Sequence, residues 1–127
     1  MNERILVVDD NPDSITIMRT ILESRGYGVM VANNGAEALA QLRTDPPDVV
    51  LLDVMMPEIS GLEVLQQIKD DARTGRLPVI LVTAKTHDDD VLSGYQFGAD
   101  YYITKPFTAK QLLYGIDLVL GKGESVE

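Results

Sequence analysis

The sequence predicts an α/β fold: a doubly wound, five-stranded parallel sheet with five helices distributed over both faces. Three observations lead there. Five short runs rich in β-branched and apolar residues recur at near-regular intervals along the 127 residues. The stretches between them carry apolar residues at helical spacing, and most open on a helix-start signal. The runs are continuously apolar rather than alternating, as strands covered on both faces must be.

The elements follow in order. Ile5–Val8 (I-L-V-V) is the first strand, and Asn11-Pro12 places a capping side chain before a proline at the first helical position. Ile15, Met18, Ile21 and Leu22 line one face of the helix that follows, and Gly26 stands where its end needs a left-handed residue. Val29–Val31 is the second strand, and Asn34-x-x-Glu37 opens the second helix as a variant capping box. Val49–Leu52 is the third strand. A full capping box, Ser60-x-x-Glu63, then starts a helix with Leu62, Leu65 and Ile68 on one face. Val79–Val82 is the fourth strand; Thr86-x-x-Asp89 would start the fourth helix and Gly98 would end it. Tyr101–Thr104 is the fifth strand, and Thr108-x-x-Gln111 caps the fifth helix. Residues 1–121 are expected to form one domain, and 122–127 a tail or the start of a linker.

Composition excludes several classes. Hydrophobic residues make up 45% and charged residues 24%, ordinary for a globular domain. No apolar run reaches the ~18–20 residues of a membrane helix, and the short N-terminal apolar run closes on acids rather than a signal-peptide cleavage site. There is no cysteine, which excludes disulfides and thiolate zinc sites and fits a cytoplasmic setting. A net charge of −9 disfavours direct nucleic-acid binding and suits a soluble partner or a cation.

In open parallel sheets, ligands bind beyond the carboxyl ends of the strands, where strand order reverses. The first strand ends in Asp9 and Asp10, the third in Asp53, the fourth in Thr83-Ala84 and the fifth in Lys105-Pro106; the second ends in Ala32-Asn33, with nothing reactive. Three carboxylates, a hydroxyl and an amine therefore meet at one edge. Like charges so close repel, and a hard divalent cation with oxygen ligands relieves the repulsion. Magnesium is the natural occupant, with manganese able to substitute. A cation beside an ammonium would stabilise phosphoryl oxygens, and a carboxylate there could serve as nucleophile. Spacing alone thus predicts a magnesium-assisted phosphoryl-acceptor site.

The segments I-L-V-V-D-D-N, V-V-L-L-D-V-M-M-P-x-x-x-G, P-V-I-L-V-T-A and Y-Y-I-T-K-P-F resemble the receiver domain of bacterial two-component response regulators, from about Ile5 to Leu120. In spacing they are nearest to single-domain, chemotaxis-type receivers. The resemblance implies a flavodoxin-like sheet of order 2-1-3-4-5. It implies that Asp53 accepts a phosphoryl group from the phosphohistidine of a sensor kinase or phosphotransfer protein. Asp10, Asp53 and the Met55 carbonyl would bind magnesium directly, and Asp9 mainly through water. Lys105 and Thr83 would contact phosphoryl oxygens, and a cis Lys105-Pro106 bond is expected. Thr83 and Tyr102 would form the switch, altering the surface of the fourth helix, fifth strand and fifth helix, roughly 87–120, that faces a downstream protein or output domain. Catalysis would be limited to the protein's own phosphoryl transfer and dephosphorylation.

Plainer readings compete at each position. Asp9 and Asp10 would favour a helix dipole, but capping accounts for one of them and not for Asp53 as well. Thr83 alone reads as a strand residue, Lys105 alone as a loop lysine, and Tyr102 alone as strand packing. His87 and Asp88–Asp90 read as the solvated first turn of a helix, and Met55-Met56 as packing that lines a loop. Met55 and Lys85 occupy positions flanking the mouth of the site; an apolar Met55 would shield the acyl phosphate from water, so slow to moderate self-dephosphorylation is expected. Tyr101 and Gly115 stand where one large subfamily of transcription-factor receivers carries an acid and a base for dimerisation, so a monomer or a phosphorylation-dependent dimer of another kind is expected. An aspartate-nucleophile phosphatase would need an acid where Met55 stands. A flavin module would not place Asp10-Asn11-Pro12-Asp13 after its first strand. The remaining alternative is a receiver-like interaction module that is never phosphorylated. No output segment follows in the sequence, which leaves a stand-alone regulator or the receiver of a larger protein.

Overall fold

A computed structural model describes residues 3–84 and 98–121. The elements are β1 (Arg4–Val8), α1 (Pro12–Ser24), β2 (Gly28–Ala32), α2 (Gly35–Thr44), β3 (Val49–Leu52), α3 (Gly61–Asp70), β4 (Val79–Thr83), β5 (Tyr101–Thr104) and a final helix, α4 (Ala109–Val119). All five expected strands are present, within a residue of their expected ends. The helix expected to start at Thr86-x-x-Asp89 falls outside the described residues, so the four helices here are the other four. The strands form one parallel sheet in the order β2-β1-β3-β4-β5.

Alternate residues of each strand feed two cores. Leu6, Val8, Val50, Leu52, Val79 and Leu81 face α2 and α3, where they meet Ala38, Leu42, Val64, Leu65 and Ile68. Ile5, Val7, Val49, Leu51, Ile80 and Val82 face the other way, onto Met18 and Leu22 of α1 and Leu112 and Ile116 of α4. Most of these strand residues are fully buried, which is why they read as unbroken apolar runs.

The helix starts behave as their sequences require. Asn11 accepts from the Asp13 amide at 2.8 Å, with Pro12 at the first helical position. Ser60/Glu63 and Thr108/Gln111 form reciprocal capping boxes. At α2 the box is offset: Asn34 accepts from the Glu37 amide, but the Glu37 carboxylate reaches the amide of Asn33, one residue earlier. Gly26 adopts φ +86 just past α1, and Gly98 adopts φ +103. Gly115 is buried under β5, because a Cβ there would meet Ile103 Cδ1 at 3.0 Å and the Tyr101 ring at 3.1 Å. The Tyr101–Gly115 pairing is therefore a packing solution: the ring fills the space a longer residue at 115 would need.

Candidate phosphoryl-acceptor site

Register builds the site. β1 pairs Val8 with Leu52 of β3, so Asp9 and Asp53 are the next residues in line. The ladder runs one step past both strands: the Asp53 amide donates to the Val8 carbonyl at 3.0 Å, and the Asp9 amide to the Ala32 carbonyl at 3.2 Å. Sheet order reverses at β1, with β2 on one side and β3 on the other, so the two aspartates flank the crevice where ligands of such sheets bind. Pairing of β4 with β5 aligns Thr83 with Thr104, and the Lys105 amide donates to the Thr83 carbonyl at 2.9 Å.

Asp9 is fully buried, Asp53 is 6% exposed and Thr83 fully buried, whereas Asp10 is exposed. Carboxylate oxygens of Asp9, Asp10 and Asp53 lie within 4.8 Å of one another. Lys105 Nζ donates to Asp9 Oδ2 at 2.8 Å and stands 3.6 Å from Asp53 Oδ2, an ion pair rather than a hydrogen bond. The other Asp9 oxygen accepts from the Asn11 amide at 2.9 Å, and Asp53 Oδ1 accepts from the Met55 amide at 3.1 Å. The buried Thr83 hydroxyl lies close enough to Asp53 to favour its charged form. The Lys105-Pro106 bond is cis.

Five of the expected site residues (Asp9, Asp10, Asp53, Thr83 and Lys105) therefore come together, and Met55 adjoins them through its amide. Tyr102 lies on β5, half-buried against the core on the α2/α3 side. Lys85, His87 and Asp88–Asp90 fall outside the described residues. Met55 corrects the expectation that both methionines pack. Met56 is 9% exposed, but Met55 is 55% exposed, because the turn that points its amide at Asp53 directs its side chain outward. Two contacts were not foreseen: the Asn11 amide on Asp9, and the Ser14 hydroxyl, 3.3 Å from Lys105 Nζ. A serine in a first helical turn signals nothing but a helix start.

Burial pushes the Asp53 carboxyl above its ordinary range; the neighbouring Asp9 charge adds to the rise, while Lys105, the Met55 amide and Thr83 oppose it. A carboxyl raised in the folded state makes its charge a burden at neutral pH. That burden is relieved as pH falls through the folded value, and is gone below the unfolded value of about 3.9. The isosteric Asp53→Asn should therefore raise the melting temperature of the metal-free protein at pH 7 by a few degrees, with the gain shrinking as pH approaches 4. A less stable Asn variant at pH 7 would show that the ion pair with Lys105 outweighs desolvation.

The donor set fits a hard divalent cation. It is all oxygen, three carboxylates share one small volume, and the exposed Asp10 leaves a side open to solvent. Lys105 supplies part of the compensating charge without closing that side.

A model of the response regulator receiver domain matches residues 5–117. Protein PilH of Pseudomonas aeruginosa is 41% identical over 117 residues, spanning 92% of this chain and 97% of PilH. The alkaline phosphatase synthesis transcriptional regulatory protein PhoP of Bacillus subtilis is 38% identical over 124 residues, 98% of this chain but 51% of PhoP. The chain thus spans about half the length of several curated relatives it matches. Among solved structures, chemotaxis protein CheY4 of Vibrio cholerae superposes with a TM-score of 0.89 at 28% identity, covering 94% of this chain and 99% of that one. A CheY-like receiver domain protein from Methanospirillum hungatei gives a TM-score of 0.89 at 29% identity over the whole of both chains.

Proposed function

The chain belongs to the response regulator receiver family of two-component signalling, and from that premise we propose that it is a phosphorylation-controlled switch in which Asp53 is the phosphoryl acceptor. The observation that carries this reading is the convergence of Asp9, Asp10 and Asp53 with Lys105 at the switch point of the sheet. Nothing in the fold requires these four side chains at one edge.

An Asp53 carboxylate oxygen attacks the phosphorus of a phosphohistidine; the P–N bond breaks and the imidazole leaves with the electron pair. Lys105 Nζ, already 3.6 Å from Asp53 Oδ2, needs only a small movement to meet a phosphoryl oxygen. Asp9, Asp10, Asp53 and the Met55 carbonyl would hold magnesium, which neutralises developing charge on the phosphoryl oxygens when bound. A cleft of about 390 Å³ lies beside Lys105, lined by Ser14, Ile17, Ala84, Pro106 and Phe107. The product is a dianion at the end of β4. Thr83 would turn toward it and Tyr102 would follow inward, biasing the surface around β5 and α4 toward a downstream protein or output domain. The chain catalyses nothing beyond its own phosphoryl transfer and loss.

Intact mass after incubation with acetyl phosphate, with and without magnesium, tests the reading. A gain of one phosphoryl mass that needs magnesium and is absent in Asp53→Asn is the expected result. No gain under any condition would make the chain an unphosphorylated interaction module.

A further inference from the structure

Lys105 carries an ammonium with three donors and no acceptor capacity. One donor goes to Asp9 at 2.8 Å and another to Ser14 Oγ at 3.3 Å, while Asp53 is left at 3.6 Å. Attraction between opposite charges grows as they approach, so an ammonium beside two carboxylates should close on both. Its third contact is the Ser14 hydroxyl, in the first turn of α1. The backbone that carries that hydroxyl is fixed: the Ser14 amide donates to Asn11 Oδ1 at 3.4 Å, and the Asn11 amide to Asp9 Oδ1 at 2.9 Å. Asp9 and Ser14, linked through Asn11, thus hold the ammonium from one stretch of chain. Among the described residues Lys105 is the only group hydrogen-bonded to the Ser14 hydroxyl.

We propose that Ser14 is a positioning residue for phosphoryl acceptance: its hydroxyl tethers the Lys105 ammonium short of Asp53, keeping the nucleophilic oxygen open to phosphorus and the carboxylate cluster open to a cation. This rests on the reading of Asp53 as the acceptor. Without the tether, Lys105 closes on Asp53 Oδ2, blunts the nucleophile and competes with the cation. The role acts entirely through Lys105.

A double-mutant cycle separates this from a structural role for α1. Ser14→Ala should slow magnesium-dependent phosphorylation by acetyl phosphate roughly three- to tenfold, the worth of one hydrogen bond, and weaken magnesium binding by a similar factor. Ser14→Thr, which keeps the hydroxyl, should restore both. In a Lys105→Met background, Ser14→Ala should leave magnesium affinity unchanged. Equal rates and affinities for Ser14→Ala and the parent would overturn the tether, as would the same loss of affinity in the Lys105→Met background. If the parent protein takes up no phosphoryl group, the acceptor reading fails, while the magnesium titrations still decide whether Ser14 restrains Lys105.

Discussion

Replacing Gly61 by valine is expected to cost about 3 kcal/mol or more, the upper range for overpacking, and to lower the melting temperature by on the order of 10 °C. Gly61 is the first residue of α3, and its amide donates to the Val54 carbonyl at 2.9 Å. A Cβ there would lie 2.7 Å from Val54 Cα and 2.8 Å from the Asp53 carbonyl carbon, and closer still to the Asp53 carbonyl oxygen. Those atoms are backbone at the end of a fully paired strand, so no flexible side chain can move aside. Even Gly61→Ala, which in an open helix would gain about 1 kcal/mol, should destabilise. The peptide that must shift is that of Asp53 itself, so both variants should lose phosphoryl acceptance out of proportion to their lost stability. Gly26→Ala provides the contrast. Nothing lies within 4 Å of a Cβ at Gly26, and its φ of +86 is the only obstacle. That change should cost about 1 kcal/mol and leave acceptance intact. Wild-type melting and phosphorylation in Gly61→Ala would refute the close-packing account.

The glycine after M-M-P is visible in the sequence, but its reason is not, and the same division runs through the molecule. Ile5–Val8, Val49–Leu52 and Val79–Val82 could be placed because burial on both faces removes every polar residue from a strand. Ser60/Glu63 and Thr108/Gln111 could be placed because capping is local chemistry written within four residues. Convergence of Asp9, Asp53, Thr83 and Lys105 followed from one topological rule about strand ends. Which carboxylate Lys105 joins did not follow. Asp9 and Asp53 are equivalent as strand-end acids, and what separates them is the Ser14 contact from the first turn of α1, which reaches Lys105 across 91 residues of sequence beside Asp9. Met55 was misread as packed for a similar reason: a turn decides where two consecutive methionines point, and neither residue type fixes that turn.

Its contacts with Asp9 and Asp53 make Lys105 a structural cation, beside the role proposed for it in phosphoryl acceptance. Among the described residues its ammonium is the one cation within 4.0 Å of the fully buried Asp9 and the nearly buried Asp53. Removing one partner of a buried pair typically costs about 3–5 kcal/mol, because the remaining charge is left uncompensated. Lys105→Met keeps most of the apolar stem and isolates the charge. Its side chain is 20% exposed and solvent supplies some screening, so we expect about 3 kcal/mol lost at pH 7 in the presence of a chelator. Two conditions should return it. As pH falls through the carboxylate range, Asp53 protonates readily because its value is already raised, and the deficit shrinks. Magnesium in excess takes over the role of the ammonium, adding about 2.7 kcal/mol at a concentration one hundred times its dissociation constant. The variant should also bind magnesium more tightly than the parent, since a competitor for Asp9 is gone, while accepting phosphate more slowly for want of the ammonium. Chemical denaturation of both proteins, with chelator and with magnesium, at pH 7 and near pH 4.5, gives all four comparisons. A Lys105→Met protein as stable as the parent in chelator at pH 7 would mean that water, not lysine, balances the two buried aspartates. Lys105 would then matter only once phosphate arrives.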